Sequence, residues 1–533
     1  MNYLTRFVFV LFFLSAGAVM AQELAQLSSV SSDTTLPLNH RWWHCDVLDQ
    51  GLLGISSQKT YDDLIGDQPR QTIVVAVIDG GTDTEHEDLK DNVWINPNEV
   101  PHNGIDDDAN GYVDDVHGWS FISGPGGEVN YDTMEYIRAL GKMRQEVIDG
   151  TRSVSDKDLK VFEKRLKKQT KKWTARKEIN FGWLLELSAI EKALGQKSIT
   201  AEALESYSPT NKTQSIIREG FLVLLRDSVP YVDIVARIQA DYDEADRYLK
   251  YNLNPAFDSR KMVGDTYLDY SQRSYGDNRV IGPGAEHGTH VAGIIAAVRG
   301  NGIGMDGIAD NAKIMVLRVV PDGDERDKDV ANALYYAVDN GAKVINMSFG
   351  KGVGENQAYV DRAIAYAMTK DVLIVHAAGN ESQNNDVSPH FPNAFYDSLS
   401  ARFPHWIEVG ASSYTVPVAA EFSNYGKNSV DLFAPGVDIY SLNPHHTYEY
   451  SGGTSMAAPV VAGIAAVVRG QFPSLTAPQV RDLLMKTALI HDFNTTLPGN
   501  PKKKAAFTQL SISGGIVNMY RAVHAAQASE GKR

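Results

Sequence analysis

A chain of 533 residues, 43 % hydrophobic and 22 % charged, has room for one large globular domain with an addition, or for two to three ordinary domains. Its 66 acidic against 51 basic side chains leave a formal charge of −15, which argues against a general nucleic-acid binder. The single cysteine, Cys45, excludes an internal disulfide, and its setting in Trp-Trp-His-Cys-Asp reads as a packed thiol.

Arg6 precedes an apolar run from Phe7 to Val19, and Met-Ala precedes Gln22. This is the pattern of a secretory signal peptide over residues 1–21, cleaved after Ala21. The run is short for a membrane span, and no other run is long and apolar enough, so no span is expected once the leader is removed. No cysteine stands at the cleavage site to carry a lipid. The expected location is periplasmic or secreted. Residues 22–66 read as an N-terminal arm. It is Ser/Thr-rich to residue 40, then carries Trp42, Trp43 and an amphipathic stretch over Ser57–Ile65.

Gln71-Thr-Ile-Val-Val-Ala-Val-Ile-Asp-Gly-Gly runs through a β-branched apolar stretch into Asp79. The pattern predicts a buried parallel strand ending in a carboxylate. In open α/β sheets, sites gather beyond the C-terminal ends of strands. His86-Glu87 lacks the second histidine of a zinc-protease helix.

Asp106, Asp108, Asn110 and Asp114 fall at positions one, three, five and nine of a loop with Gly111 at six, the front of an EF-hand-like calcium loop. His117 stands where the glutamate at position twelve belongs. Two readings compete: a solvated acidic turn, or a bound calcium that neutralises crowded carboxylates. We expect calcium, with these four residues as ligands.

Residues 130–272 are helical in pattern. Asp132-Thr-Met-Glu135 resembles a capping box. Met134, Ile137, Leu140, Met143 and Val147 recur at helical spacing. Leu159, Phe162 and Leu166 continue on a Lys-rich helix, and Ile216, Phe221, Leu224 and Leu225 mark another. The basic run Lys164–Lys177 reads as a solvated helix face.

His287-Gly-Thr-His-Val-Ala-Gly places a histidine at the start of an apolar helix. His290 reads as a packed or hydrogen-bonded helix residue. The apolar stretches starting at Ala312, Ala342 and Asp371 alternate with helical stretches at Lys328–Asp339 and Asn356–Met368. The pattern predicts a parallel sheet covered on both faces. Ser-Gly-Gly-Thr-Ser-Met-Ala-Ala-Pro then leads through glycines into Ser455 at the mouth of an Ala/Val-rich helix. Free N–H groups and the helix dipole favour negative charge there, as a nucleophile's oxyanion needs.

Ile-Asp79-Gly-Gly, His287-Gly-Thr-His-Val-Ala-Gly and Gly-Thr-Ser455-Met-Ala-Ala-Pro together resemble the three signatures of the subtilisin-like serine proteases (subtilases, the S8 peptidases). The chain order Asp, His, Ser is also subtilisin's. One departure is Gly80, where the family usually carries Ser or Thr. Gly80 removes a possible hydrogen bond next to the carboxylate.

The resemblance implies a three-layer α/β fold, a parallel sheet covered by helices, with a helical insertion. It implies Ser455 as nucleophile, His287 as general base and Asp79 as its orienting carboxylate. It assigns an oxyanion donor to Asn380, in Ala377-Ala-Gly-Asn, and a substrate-binding edge to Ser348, Phe349 and Gly350. It also implies calcium as a structural ion. The expected organisation is a leader (1–21), an arm (22–66), a catalytic domain (67–129 and 273–525), an insertion (130–272) and a tail (526–533). The insertion carries no legible chemistry. It is expected to cover part of the cleft, or to regulate in place of a prodomain.

The expected function is a secreted endopeptidase acting on protein or peptide substrates. A lipase or esterase would carry its serine in a Gly-x-Ser-x-Gly elbow, in the order Ser, Asp, His. A catalytically silent subtilase-like binding protein is the alternative that keeps the same motifs.

Overall fold

Among the described residues, nine strands form one sheet. In chain order they are β1 (Ile73–Asp79), β2 (Gly118–Ser120), β3 (Ala312–Arg318), β4 (Val344–Met347), β5 (Leu373–Ala377), β6 (Trp406–Ser412), β7 (Leu432–Pro435), β10 (Leu489–Ile490) and β11 (Gly515–Ile516). A separate antiparallel hairpin joins β8 (Ile439–Asn443) to β9 (Thr447–Ser451). The sheet order is β10-β11-β7-β6-β5-β4-β1-β3-β2. Every neighbouring pair is parallel except β10 with β11. The computed structural model describes residues 40–66, 68–396, 401–415, 417–490 and 494–530. The expected leader and the Ser/Thr-rich stretch up to residue 39 lie outside them, as do residues 531–533 of the expected tail.

The central strands are β-branched and apolar because both faces are covered. Val75, Val77, Val375, Ile407 and Val409 point to one face and join a core with helices α5 (Ala285–Ala296), α8 (Thr454–Gln471) and α9 (Met519–Glu530). Ala76, Ile78, Ile345, Ile374 and Trp406 point to the other, towards α6 (Asp327–Asp339) and α7 (Gln357–Thr369). The expected three-layer α/β arrangement is therefore the observed one. Helix α8 is buried almost all round, which its small Ala, Gly and Val side chains permit. Trp42 and Trp43 of the arm are buried in the first core, and Cys45 is a buried free thiol.

The chain divides into two compact units. Among the described residues, one contains 137–257, and the other contains 40–136 and those from 258 to 530 and holds the whole sheet. In the helical unit, α2 (Lys157–Leu194), α3 (Lys212–Arg226) and α4 (Tyr231–Arg247) share a core of Leu187, Ile190, Ile217, Phe221, Ile234 and Ile238. The basic run of α2 is only partly solvated. Arg176 pairs with Asp241 and Glu244, and Lys177 with Asp246, all on α4. Trp173 stacks on Tyr248. Helix α1 (Glu135–Ile148) starts where the capping box is expected. There Glu135 N–H donates to Asp324 at 2.7 Å, while the Asp132 carboxylate takes Arg326 and Ser259 Oγ. No described helix is long and apolar enough to cross a membrane.

Candidate active site

Asp79 is the last residue of β1, where the carboxylate leaves the sheet at its C-terminal edge. Gly80 N–H donates to Asp79 Oδ1 at 2.7 Å, so the backbone supplies a hydrogen bond where a Ser or Thr hydroxyl is missing. Helix α5 comes close to this turn through Gly288. A side chain there would overlap the Gly81 carbonyl. That approach sets His287 over Asp79: His287 Nδ1 lies 2.9 Å from both carboxylate oxygens.

The Asp79 side chain is 3 % exposed and that of His287 43 %, so the pair runs from the core to the open surface. Burial pulls the imidazole pKa down, but the charge and hydrogen bond of Asp79 outweigh it and hold His287 above its ordinary value. His290, one turn along, is different. Its Nε2 faces the carbonyls of Ile439 and Glu449 at 3.1 and 3.3 Å. Burial drives its pKa to about 3, so it stays a neutral packing residue.

Ser455 is the second residue of α8. Its Oγ donates to the Ser348 carbonyl at 3.0 Å, and its own carbonyl accepts Ser348 Oγ at 2.8 Å. Ser348, Phe349 and Gly350 follow directly on β4, so the expected substrate edge runs beside the serine. Asn380 lies beyond β5, and its carboxamide is pinned. Oδ1 accepts Thr454 N–H at 2.9 Å and Thr454 Oγ1 at 3.0 Å. This leaves Nδ2 on the outer side of an exposed residue. An added Cβ on Gly453 would lie 3.4 Å from Asn380 Nδ2 and 3.5 Å from the Ser455 nitrogen. Asn380 Nδ2 and the Ser455 nitrogen thus both lie close to the same side of Gly453.

Two positioning residues had no signal in the sequence. Asn424 is buried and accepts from Glu381 N and Gln383 N, while donating to the Ala378 carbonyl and Glu381 Oε2. It shapes the turn that presents Asn380, where Gly379 adopts φ +106°. Arg318, opposite Asp79 in the sheet, is fully buried. It donates to Gly80 O at 2.9 Å, Glu128 at 3.0 Å and Val129 O at 3.1 Å.

The acidic loop divides. Oxygens of Glu99, Asp106 and Asp108 lie within 4.8 Å of one another. Glu99, outside the expected set, has Oε2 buried with no partner. Asp114 instead accepts Asn103 N and Gly104 N, and Asn110 turns to Asp115 and Tyr112 N. The three-carboxylate set fits a hard cation that takes oxygen ligands.

A family model described as the subtilase family matches residues 70–514. The chain belongs to that family. The thermophilic serine proteinase of Bacillus sp. strain AK1 is 42 % identical over 186 residues, which span 35 % of this chain and 43 % of that one. Thermitase of Thermoactinomyces vulgaris is 37 % identical over 241 residues, 45 % of this chain and 75 % of thermitase. A solved protease from Pseudoalteromonas arctica PAMC 21717 aligns with 30 % identity and a TM-score of 0.37, over 45 % of this chain and 70 % of that one. The matches to the two sequence relatives each cover less than half of the present chain, which spans under half the length of the Bacillus proteinase.

Proposed function

We propose that the chain is a secreted serine endopeptidase that hydrolyses peptide bonds through Ser455, His287 and Asp79. The observation that carries this reading is the Asp79–His287 pair. Both carboxylate oxygens lie 2.9 Å from Nδ1, so that nitrogen keeps its proton and Nε2 is left to act as base. His287 takes the Ser455 proton, and Oγ attacks the scissile carbonyl. Asp79 holds the imidazole in its tautomer and stabilises the imidazolium. The oxyanion is met by the Ser455 N–H and Asn380 Nδ2, which are fixed before charge develops. His287 then protonates the leaving amine, and water clears the acyl-enzyme. An extended substrate pairs along Ser348, Phe349 and Gly350.

Supporting secretion is the leader pattern at residues 1–21. The organisation we favour keeps residues 130–272 as an insertion in the catalytic domain. We also assign a structural calcium to the acidic loop, held by Asp106 and Asp108 with Glu99 added. When bound, such an ion neutralises carboxylates that otherwise repel.

The test is labelling with a fluorophosphonate probe beside a Ser455→Ala control, with a mixed peptide library digested in parallel. Labelling at Ser455 with library cleavage is expected. A folded protein that neither labels nor cleaves would overturn the peptidase reading in favour of the silent binding protein.

A further inference from the structure

His376 on β5 and Glu408 on β6 are direct partners in the sheet register and project from the same face. His376 Nδ1 lies 3.0 and 3.1 Å from the two Glu408 oxygens, and Trp406 Nε1 donates to Glu408 Oε2 at 2.8 Å. His390, from the loop after β5, brings a third group. The three residues are 0 %, 3 % and 9 % exposed for His376, Glu408 and His390, and one ligand atom from each lies within 4.8 Å of the others. Two imidazole nitrogens, His376 Nε2 and His390 Nδ1, are buried with no hydrogen-bond partner. A buried polar atom left unpaired loses its hydration with nothing in return, so His390 Nδ1 calls for a ligand, while His376 meets the carboxylate through its other nitrogen, Nδ1.

We propose that His376, His390 and Glu408 form a site for a divalent transition ion of zinc's chemistry. Two imidazoles and a carboxylate are a ligand set that borderline ions take readily, while calcium and magnesium prefer all-oxygen sites. The spacing between His376 Nδ1 and Glu408 suits the ion. Two ligands on one tetrahedral zinc sit about 3.3 Å apart, given bonds of about 2.0–2.1 Å. The ion replaces the proton shared by the imidazole and the carboxylate, and that proton goes to solvent. Trp406 supplies the outer hydrogen bond that orients the carboxylate. Entry is open: a cavity of about 850 Å³, lined in part by Tyr359, Arg362, Phe391 and Asn393, reaches both His390 and Glu408.

The site also has a consequence for the cleft, and that part alone rests on the peptidase reading. The His390 ring lies against Gly350, where a side chain would overlap it. Phe391 and Lys351 exchange backbone hydrogen bonds at 2.8 and 2.9 Å. An ion on His390 therefore braces the loop behind the Ser348–Gly350 edge, and its removal should raise KM more than it lowers kcat.

The test uses the full chain carrying Ser455→Ala, stripped of metal and held in excess calcium so that oxygen sites are filled. Zinc is titrated calorimetrically against a competing chelator, and cobalt(II) is titrated with absorption as readout. One ion per chain is expected, with the visible bands of four-coordinate cobalt. His390→Ala should weaken zinc at least a hundredfold while circular dichroism stays unchanged. His390→Cys should restore binding and add a sulfur-to-cobalt charge-transfer band. Zinc affinity unchanged by His390→Ala, or no stoichiometric ion in the parent protein, would overturn the site whatever the outcome of the fluorophosphonate experiment.

Discussion

Ser348 and Ser455 are tied to each other twice, each donating its hydroxyl to the other's carbonyl at 2.8 and 3.0 Å. The reason lies four residues along α8. An α-helical carbonyl is normally taken by the N–H of residue i+4, and here that residue is Pro459, which has none. The Ser455 carbonyl is thereby freed for Ser348 Oγ, which itself accepts from Asn346 Nδ2 at 2.9 Å. The proline in the serine motif thus fastens the residues that follow β4 to helix α8. Ser348→Ala should cost about 1–2 kcal/mol, because it leaves buried partners unpaired. In a Pro459→Ala background the new N–H serves the same carbonyl, and the cost should fall by about half. Urea unfolding of the four proteins of this cycle measures the coupling. An identical cost in both backgrounds would refute the role given to Pro459.

The pH dependence follows from the Asp79–His287 pair. In the proposed mechanism His287 must be neutral to act as base, and its pKa is held above 6.5 by the Asp79 carboxylate against the pull of burial. The acid limb of kcat/KM should therefore have its midpoint above 6.5. Asp79→Asn removes the opposing charge. The limb should then move to lower pH, while kcat falls by about 10⁴ as the imidazole loses its tautomer. Stability should run the other way. The protonated pair contributes fully below the unfolded value of about 6.5 and is lost as pH rises through the higher folded pKa. A pH–rate profile beside imidazole proton resonances in the resting protein checks both signs.

The sequence was legible where a residue stands at the junction of an element with a period of its own. Asp79 ends a continuous β-branched run, and His287 and Ser455 each open an apolar helix. The alternation between them carried the parallel sheet. Asn424 and Arg318 were illegible because their work is to tie together stretches far apart in the chain. An Asn in Phe-Ser-Asn-Tyr and an Arg closing a strand look like surface residues until the fold buries them. The acidic loop was half legible. The spacing pointed to Asp106 and Asp108, but Glu99 comes from outside the repeat, and Asp114 is drawn away by the free N–H groups of Asn103 and Gly104. The basic run of α2 is solvated at Lys164, Lys167, Lys168, Lys171 and Lys172, while Arg176 and Lys177 at its end meet acidic partners on α4.

The Asp79 turn should respond to its supports. Arg318→Met keeps much of the volume but strands the Gly80 and Val129 carbonyls and leaves the Glu128 carboxylate to Arg279 alone. A loss of about 2–4 kcal/mol is expected from the two carbonyls left unpaired, with a fall in kcat as the turn relaxes. Arg318→Lys should recover little, because an ammonium cannot reach three acceptors through a planar fork. Gly80→Ser restores the residue type usual in the family, yet here its Cβ would lie 2.9 Å from Gly284 O and 3.1 Å from Val320 O. It should destabilise by about 1–3 kcal/mol, as overpacking does. Denaturant unfolding with kcat on the same samples tests both, and a Gly80→Ser protein more stable than its parent would contradict the packing described.

Calcium should distinguish the two halves of the acidic loop. An ion bound only by the folded chain stabilises it by about 2.7 kcal/mol at a hundredfold excess over its dissociation constant. Ser455→Ala protein, which cannot digest itself, should lose that increment when calcium is chelated. Glu99→Gln should abolish most of it, because the buried Oε2 is the oxygen with no partner of its own. Asp114→Ala should behave differently. Its carboxylate accepts from Asn103 N at 3.0 Å and Gly104 N at 2.8 Å, so its loss should cost about 1–2 kcal/mol with and without calcium alike. Unfolding curves of the three proteins in calcium and in chelator give the six values needed. A calcium increment that survives Glu99→Gln but vanishes with Asp114→Ala would return the site to the ligand set read from the loop's spacing.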